Sequence, residues 1–353
     1  MQSYTLTNSF KRHQIVRERR NLKRNRIIKK RGINKRRYAN GFNVSFEVVP
    51  YKIKGVFSFI HEYDKAMSFF EGFIRNGKKN RVKHFIDMSD VENITIEVLL
   101  YMVSITNIWK KKRYKYKLEI KAPKDVNLRS LLSKSGLSKY YRGNGSGHIN
   151  EVNIYPMCDG GEDTIDPETN ISANDRCIDI SDFAERLFKE TTDIDRLTLK
   201  RKLFKLTNAI AEMIRNTNDH AYDDQVDEFR PLRNWYFFAG RVQDGISFYF
   251  LDNGKGIINT AKRQIIDPLK SIGGEKVDIK IMKEIFEGKF RSRTKKPERN
   301  KGMPEIKDFF DNDDIIVNTV ITNNIIYQKT GDGEEFRTTN TSFKGTLYVW
   351  ILK

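Results

Sequence analysis

The chain has 353 residues, which is enough for about two domains. No stretch approaches the roughly 18 uninterrupted apolar residues that a membrane helix needs. No apolar region follows the charges at the N-terminus, and two cysteines, Cys158 and Cys177, are too few for a disulfide framework. These features predict a cytoplasmic protein that carries no secretory signal and has no membrane partner.

The positive charge is concentrated near the N-terminus. The formal net charge is +19, and from Lys11 to Arg37 there are 14 Lys or Arg residues against one acid, Glu18. This segment buries too little apolar surface to fold alone, so residues 1–42 are predicted to form a disordered basic arm. The arm could contact nucleic acid by neutralising phosphates, dock on an acidic protein, or remain a solvated tail.

Strand and helix patterns alternate over residues 43–142. Strands are predicted at VSFEVV, VFSFI, KHFIDMSDV and YKLEIKAP. Helices are predicted at KAMSFFEGFIRNG, TIEVLLYMVSITNIWKKK and NLRSLLSKSGL, the last ending at Gly136. This alternation predicts an α/β domain.

The same region resembles the STAS domain of anti-sigma-factor antagonists. The resemblance rests on FIDMSDV, the helix and strand after it, and the closing LRSLLSKSGLSKYY. It implies a docking role toward a protein partner. Phosphorylated members have a serine at the start of the helix, where this chain has Thr95-Ile96-Glu97, so no phosphorylation switch is expected here.

A predicted linker, 143–175, rich in Gly, Asn and acidic residues, precedes a C-terminal domain at 176–353. A helix predicted at 197–222 has an apolar face formed by Leu203, Leu206, Ile210, Met213, Ile214 and Ala221. Glu212, Asn216 and Asp219 fall within about 60° of one another on a different face. A carboxylate can deprotonate a nucleophile and an amide oxygen suits Mg²⁺, although a solvent-facing polar surface has the same pattern.

A buried strand predicted at 246–251 leads into Asp252-Asn253-Gly254-Lys255-Gly256. An acid at a strand end can accept a hydrogen bond from the exocyclic amine of adenine. Two glycines separated by one residue allow the backbone to approach a flat ligand closely. A simple hairpin turn is the alternative explanation, because both DNG and GKG are common in turns.

A basic loop precedes the helix that is predicted from about Pro304. Its cations, followed by Gly302, are Arg291, Arg293, Lys295, Lys296, Arg299 and Lys301. Cations and free backbone amides at the start of a helix form an anion site, here for a triphosphate. A flexible solvated loop would have the same composition.

Four ordered segments of this region resemble the GHKL ATPases, the superfamily of gyrase, heat-shock chaperones, histidine kinases and MutL. AEMIRNTNDHAYDD resembles the N box, LDNGKGI the Asp-x-Gly-x-Gly box, RNKGMPEI the second glycine box, and GTLYVWIL the final Gly-Thr strand. The predicted fold class is therefore α/β, an α+β sandwich. It comprises a C-terminal Bergerat-type ATP-binding domain, an N-terminal STAS-like domain and the disordered basic tail.

The resemblance implies ATP and Mg²⁺ as cofactors. Asn216 would coordinate Mg²⁺, Asp252 would bind the adenine amine, and Glu212 would be the catalytic base. The other residues of the implied nucleotide-binding set are Asp219, Gly254, Gly256, Lys301, Gly302 and Thr346. The lid departs from the family pattern, because Asn300 and Lys301 occupy the usual Gly-x-Gly region and only Gly302 remains.

The predicted function is that of an ATP·Mg-binding regulatory or signalling protein, which switches partners with nucleotide state and hydrolyses ATP slowly through Glu212. A serine/threonine kinase of the anti-sigma-factor type is an alternative, because NDHAY resembles the end of the N box in those kinases. An ATP-gated nucleic-acid-binding protein that uses the basic arm is another. Histidine autophosphorylation is not expected, and His220 is expected to be structural.

Overall fold

The computed structural model describes residues 46–79, 81–111, 114–135, 137, 173–191, 194–221, 235–262, 275–289 and 302–353. Residues Glu47–Lys353 form one compact unit. Its described residues form one parallel and one antiparallel sheet, each accompanied by helices, and this confirms the predicted α/β fold class. The basic arm and nearly all of the predicted linker lie outside the described residues, so the domain boundaries stay predictions.

The first sheet is parallel, in the order β1-β2-β3, with β1 at Glu47–Phe57, β2 at Val82–Ile94 and β3 at Tyr116–Lys121. Helices α1 (Tyr63–Gly77) and α2 (Ile96–Lys111) connect the strands, and α3 (Val126–Lys134) follows β3. The alternation predicted from the sequence is thus present, because parallel strands need a crossover connection.

In place of the two short strands predicted at VSFEVV and VFSFI, the structure has one strand, β1, which ends at Phe57 and so includes only the first two residues of VFSFI. β1 runs through Pro50, which lacks the N–H that a ladder needs. The strand tolerates this proline because it lies at the edge of the sheet, where proline is found. The register of β1 against β2 shifts between Lys52 and Lys54 and again between Gly55 and Val56, so local irregularities interrupt the pairing where the sequence predicted a break.

Helix α2 is buried on all sides. Every residue from Ile96 to Trp109 is buried. A helix that is apolar all round belongs in the interior of a protein, and α2 contacts both strands β4 and β5 of the second sheet. The prediction of an apolar-faced helix with one buried side was therefore incomplete.

The second sheet is antiparallel, in the order β4-β5-β7-β6. Its strands are β4 (Trp235–Val242), β5 (Gly245–Asp252), β6 (Ile315–Thr330) and β7 (Gly333–Leu352). The helices of this half are α4 (Ala173–Thr191), α5 (Arg196–His220), α6 (Ile257–Lys262), α7 (Glu275–Phe286) and α8 (Gly302–Phe310). The helix predicted at 197–222 and the strand predicted at 246–251 match α5 and β5 to within two residues.

Both faces of the second sheet are buried. Alternate residues form the helix face, which packs against α4, α5, α7 and α8 and includes Trp235, Phe237, Phe248, Phe250, Tyr348 and Trp350. The residues between them form the N-terminal face, which shares a core with the first sheet and includes Tyr236, Phe238, Leu251, Ile321, Leu347 and Val349. Because successive side chains of a strand point to opposite faces of the sheet, the same four strands contribute to two separate hydrophobic cores.

Candidate functional site

The second half of α5 provides the first part of the site. Asp195 caps the helix by accepting hydrogen bonds from the backbone N–H groups of Leu197 (2.9 Å) and Thr198 (3.0 Å). The residues of the predicted apolar face are all buried, and all except Ala221 belong to the core that packs α5 against the helix face of the second sheet. Glu212 is 8% exposed and forms an ion pair with Arg215, and Asn216 is half-buried one turn further on.

Helix α8 begins directly against these two side chains. A Cβ added to Gly302 would lie 2.8 Å from Glu212 Oε2 and 3.2 Å from Asn216 Oδ1. Any other residue at 302 would therefore push against both groups. The glycine brings the N-terminal end of a nine-residue helix next to a carboxylate and an amide of α5.

Asp252 ends β5 on the helix face and provides the second part of the site. Its carboxyl accepts a hydrogen bond from the Gly254 N–H at 2.7 Å, and it is only 5% exposed. Thr346 is its partner across the β5–β7 pair. Burial raises the pKa of Asp252 to about 7, against the opposing effect of hydrogen bonds from Gly254 and Thr346.

The loop after Asp252 lies against the end of α5. The Lys255 N–H donates to the Ala221 carbonyl at 2.8 Å, and a Cβ on Gly254 would lie 2.5 Å from that same carbonyl oxygen. Gly256 adopts φ +82°, a left-handed conformation that favours glycine. The two predicted glycines are thus required by close backbone approach and by a positive φ.

These contacts gather the two parts at one end of α5. Asn216 precedes Ala221 by five residues, which corresponds to about 7.5 Å along a helix axis. A second connection runs through Met303, whose Sδ lies 3.6 Å from Asn216 Nδ2 and 3.6 Å from the hydroxyl of Tyr348. Tyr348 follows Thr346 by two residues on the same face of β7, so the amide and the Asp252 carboxyl border one region.

The donor set fits a nucleotide with Mg²⁺. Oxygen ligands suit Mg²⁺, and Asn216 supplies an amide oxygen beside the Glu212 carboxylate. Because Gly302 has no side chain, the first turn of α8 approaches both groups closely. Asp252 supplies a buried acceptor that suits an exocyclic amine, with the Thr346 hydroxyl beside it.

Asn323 is a site residue that the sequence reasoning missed. It has φ +51° and is 4% exposed, and its Oδ1 accepts from the Ile258 N–H at 3.0 Å. Its Nδ2 donates to the Lys255 carbonyl at 2.6 Å, so one side chain holds the glycine loop to the start of α6. Two successive asparagines inside an apolar strand, in VITNNII, were the available signal.

Helix α2 of the N-terminal half reaches the same loop. The Ser104 hydroxyl donates to Asn253 Oδ1 at 3.3 Å, and Asn107 Nδ2 donates to the Tyr236 hydroxyl at 3.2 Å. Asn253 is 5% exposed and directly follows Asp252. The first and second halves of the chain therefore meet at the residue next to the buried carboxyl.

Several predicted residues lie outside the described part of the structure. These are Lys301 and the other cations of the basic loop, and the whole segment from Lys11 to Arg37. The backbone of Asp219 and His220 lies in α5, but their side chains are likewise outside the description. Their predicted roles stay predictions.

Comparison of the sequence with protein-family models and with curated proteins returns no match. Within the described residues, no helix combines the length and the apolar character needed to cross a membrane.

Proposed function

We propose that this chain binds ATP together with Mg²⁺ in its C-terminal half, as the resemblance to the GHKL ATPases implies. The main support is the convergence on α5. Asn216 and Glu212 lie against Gly302, while the loop that follows Asp252 lies against Ala221, the residue directly after the same helix. The amide of Asn216 would bind the metal at the phosphate end of the nucleotide, and the carboxyl of Asp252 would bind its base.

Asp252 would recognise the base. Its ionised carboxyl accepts a hydrogen bond from the exocyclic amine of adenine, whereas guanine presents a carbonyl oxygen there and would be repelled. A hydrogen bond to a charged group contributes about 1.5–3 kcal/mol, which corresponds to roughly tenfold to a hundredfold in affinity. The neighbouring Thr346 hydroxyl adds a second polar contact.

Asn216 and the first turn of α8 would hold the phosphate end. The Asn216 amide oxygen is the protein's ligand to Mg²⁺, and the backbone amides at the start of α8 face the phosphates. Bound Mg²⁺ neutralises charge on the phosphate oxygens. Glu212, which lies one turn before Asn216, would orient and deprotonate an attacking water or hydroxyl.

Calorimetry with ATP and GTP tests this proposal. The wild-type protein is expected to bind ATP with Mg²⁺ and to bind GTP at least tenfold more weakly. Asp252→Asn is expected to lose most of this preference. The matched control, Asp244→Asn, changes an exposed residue in the turn between β4 and β5 and should leave it intact. Equal affinity for ATP in wild type and Asp252→Asn would overturn the account.

A regulatory role is supported by the contact between the two halves. Asn253 directly follows Asp252 and accepts a hydrogen bond from Ser104 of α2. A change in the conformation of this loop would therefore alter a contact with the N-terminal core. We propose that nucleotide state alters how the N-terminal, STAS-like half binds a protein partner. A difference in partner affinity between two nucleotide states is what makes such a switch work.

Hydrogen exchange tests the regulatory role without knowledge of the partner. Addition of ATP and Mg²⁺ is expected to change amide protection in α2 as well as in the loop at 252–256. Helix α3, which follows β3 of the first sheet, serves as the internal control. Protection changes confined to the C-terminal half would contradict the switch while leaving nucleotide binding intact.

A further inference from the structure

Met303 lies where the two halves of the proposed nucleotide site meet. It follows Gly302 in the first turn of α8 and is half-buried. Its Sδ is 3.6 Å from Asn216 Nδ2 and 3.6 Å from the Tyr348 hydroxyl. Both neighbours are donors, and a thioether sulfur can only accept, so two hydrogen bonds converge on one atom.

The sulfur distinguishes the two ends of the Asn216 amide. Because a thioether has no proton to donate, it can hold the Nδ2 end but offers nothing to Oδ1. A flipped amide would place an oxygen lone pair against the sulfur and would lose the hydrogen bond. The contact therefore directs Oδ1 away from Met303 and leaves it available to a cation.

Tyr348 holds the sulfur in place from the sheet side. Its ring belongs to the helix face and is 3% exposed. Burial, together with the nearby Asp252, raises the pKa of Tyr348, so the hydroxyl keeps its proton and remains a donor. The thioether is thus fixed between a strand of the sheet and the helix that carries Asn216.

We propose that Met303 is a positioning residue, which orients the Asn216 amide so that Oδ1 faces the Mg²⁺ of a bound nucleotide. This inference rests on the proposed function, because it assigns Met303 a part in the same site. It adds a residue whose side chain need not touch the nucleotide and whose effect depends on the metal.

Calorimetric titration with ATP, once with Mg²⁺ and once in EDTA, tests the proposal. Met303→Leu keeps most of the side-chain volume and removes the acceptor. It is expected to reduce the Mg²⁺-dependent gain in affinity about three- to tenfold, the effect of losing one hydrogen bond, while affinity in EDTA is unchanged. Met303→Gln restores an acceptor oxygen and is expected to recover the gain to within about twofold.

Met282→Leu is the matched control, because Met282 is fully buried in α7 within the core on the helix face. It is expected to keep the wild-type Mg²⁺ gain. The proposal is overturned if Met303→Leu keeps the full gain, or if it weakens ATP equally with and without Mg²⁺. Failure of Met303→Gln to rescue overturns it as well. If the wild-type protein binds no ATP, the result would instead contradict the proposed function on which the inference rests.

Discussion

The Ser104 hydroxyl donates a hydrogen bond to Asn253 Oδ1 at 3.3 Å, across 149 residues of sequence. Ser104 lies in α2, where every residue from Ile96 to Trp109 is buried, and Asn253 directly follows Asp252. The hydroxyl has a single proton, which Asn253 Oδ1 shares with the Tyr101 carbonyl, 2.7 Å from the same oxygen. The position of the loop at 252–256 is therefore tied to the N-terminal core.

Removal of the Ser104 hydroxyl is expected to weaken ATP binding without contact with the nucleotide. Ser104→Ala loosens Asn253 and should lower ATP affinity about two- to fivefold, which is within the effect of one hydrogen bond. Ser135→Ala is the matched control, because Ser135 also donates to a carbonyl three residues before it at 2.7 Å. Calorimetry that gives the two variants equal ATP affinity would contradict the coupling.

ATP affinity is expected to rise with pH through the range around 7. In the proposed site the amine of adenine would bind the ionised form of Asp252, and burial raises the pKa of that carboxyl to about 7. Below this value a proton must leave first, so affinity should increase about tenfold from pH 6 to pH 8. Tyr348, which interacts electrostatically with Asp252, stays neutral over this range because burial raises its pKa.

The control for this pH profile is Asp252→Asn, which keeps the titration of ATP itself and removes that of the carboxyl. Its profile should be nearly flat once the ionisation of the phosphates is subtracted. A variant that retains the full wild-type slope would show that another group is responsible.

Asp252→Asn is also expected to stabilise the ligand-free protein at pH 8. Folding raises the pKa of Asp252 from 3.8 to about 7. Proton binding by this carboxyl therefore stabilises the folded state fully below pH 3.8, and this stabilisation is lost as the pH rises through about 7. Full ionisation costs about 4 kcal/mol by linkage, of which we expect the neutral amide to recover about half. Urea unfolding at pH 8 measures the difference, and Asp244→Asn should show none.

Glu212→Gln is expected to separate binding from chemistry. The amide keeps the shape of the side chain beside Gly302 but cannot accept a proton. ATP affinity should stay within about threefold, while hydrolysis or transfer of the γ-phosphate falls about a hundredfold or more. Phosphate release and label transfer from γ-labelled ATP distinguish the two reactions. If the variant kept the wild-type rate, Glu212 would not be the catalytic base.

Sequence patterns predicted the parts of the site that are local. The period of apolar residues placed Glu212 and Asn216 together on α5, and the alternation before Asp252 placed that acid at the end of a buried strand. Both patterns depend on neighbours within a few residues, which the backbone geometry determines directly. The positive φ at Gly256 likewise follows from the turn itself.

The residues that sequence reasoning missed act through contacts between distant segments. Met303 and Asn323 each stabilise a part of the site by bonding to residues more than 60 positions away. Their residue types are ordinary ones for a helix start or a strand. Only the placement of α8 against α5, and of β6 beside the glycine loop, gives them their positions.

The sequence by itself determined the α/β class, the helical face of α5 and the chemistry offered by its carboxylate, amide and glycine residues. The tertiary structure decided that Thr346 lies across from Asp252, that Gly302 lies against Asn216, and that α2 covers the second face of the antiparallel sheet. The physical reason is one of range. Periodicity reports which side of a strand or helix is apolar, but which distant surface buries that side depends on how complete elements fit together.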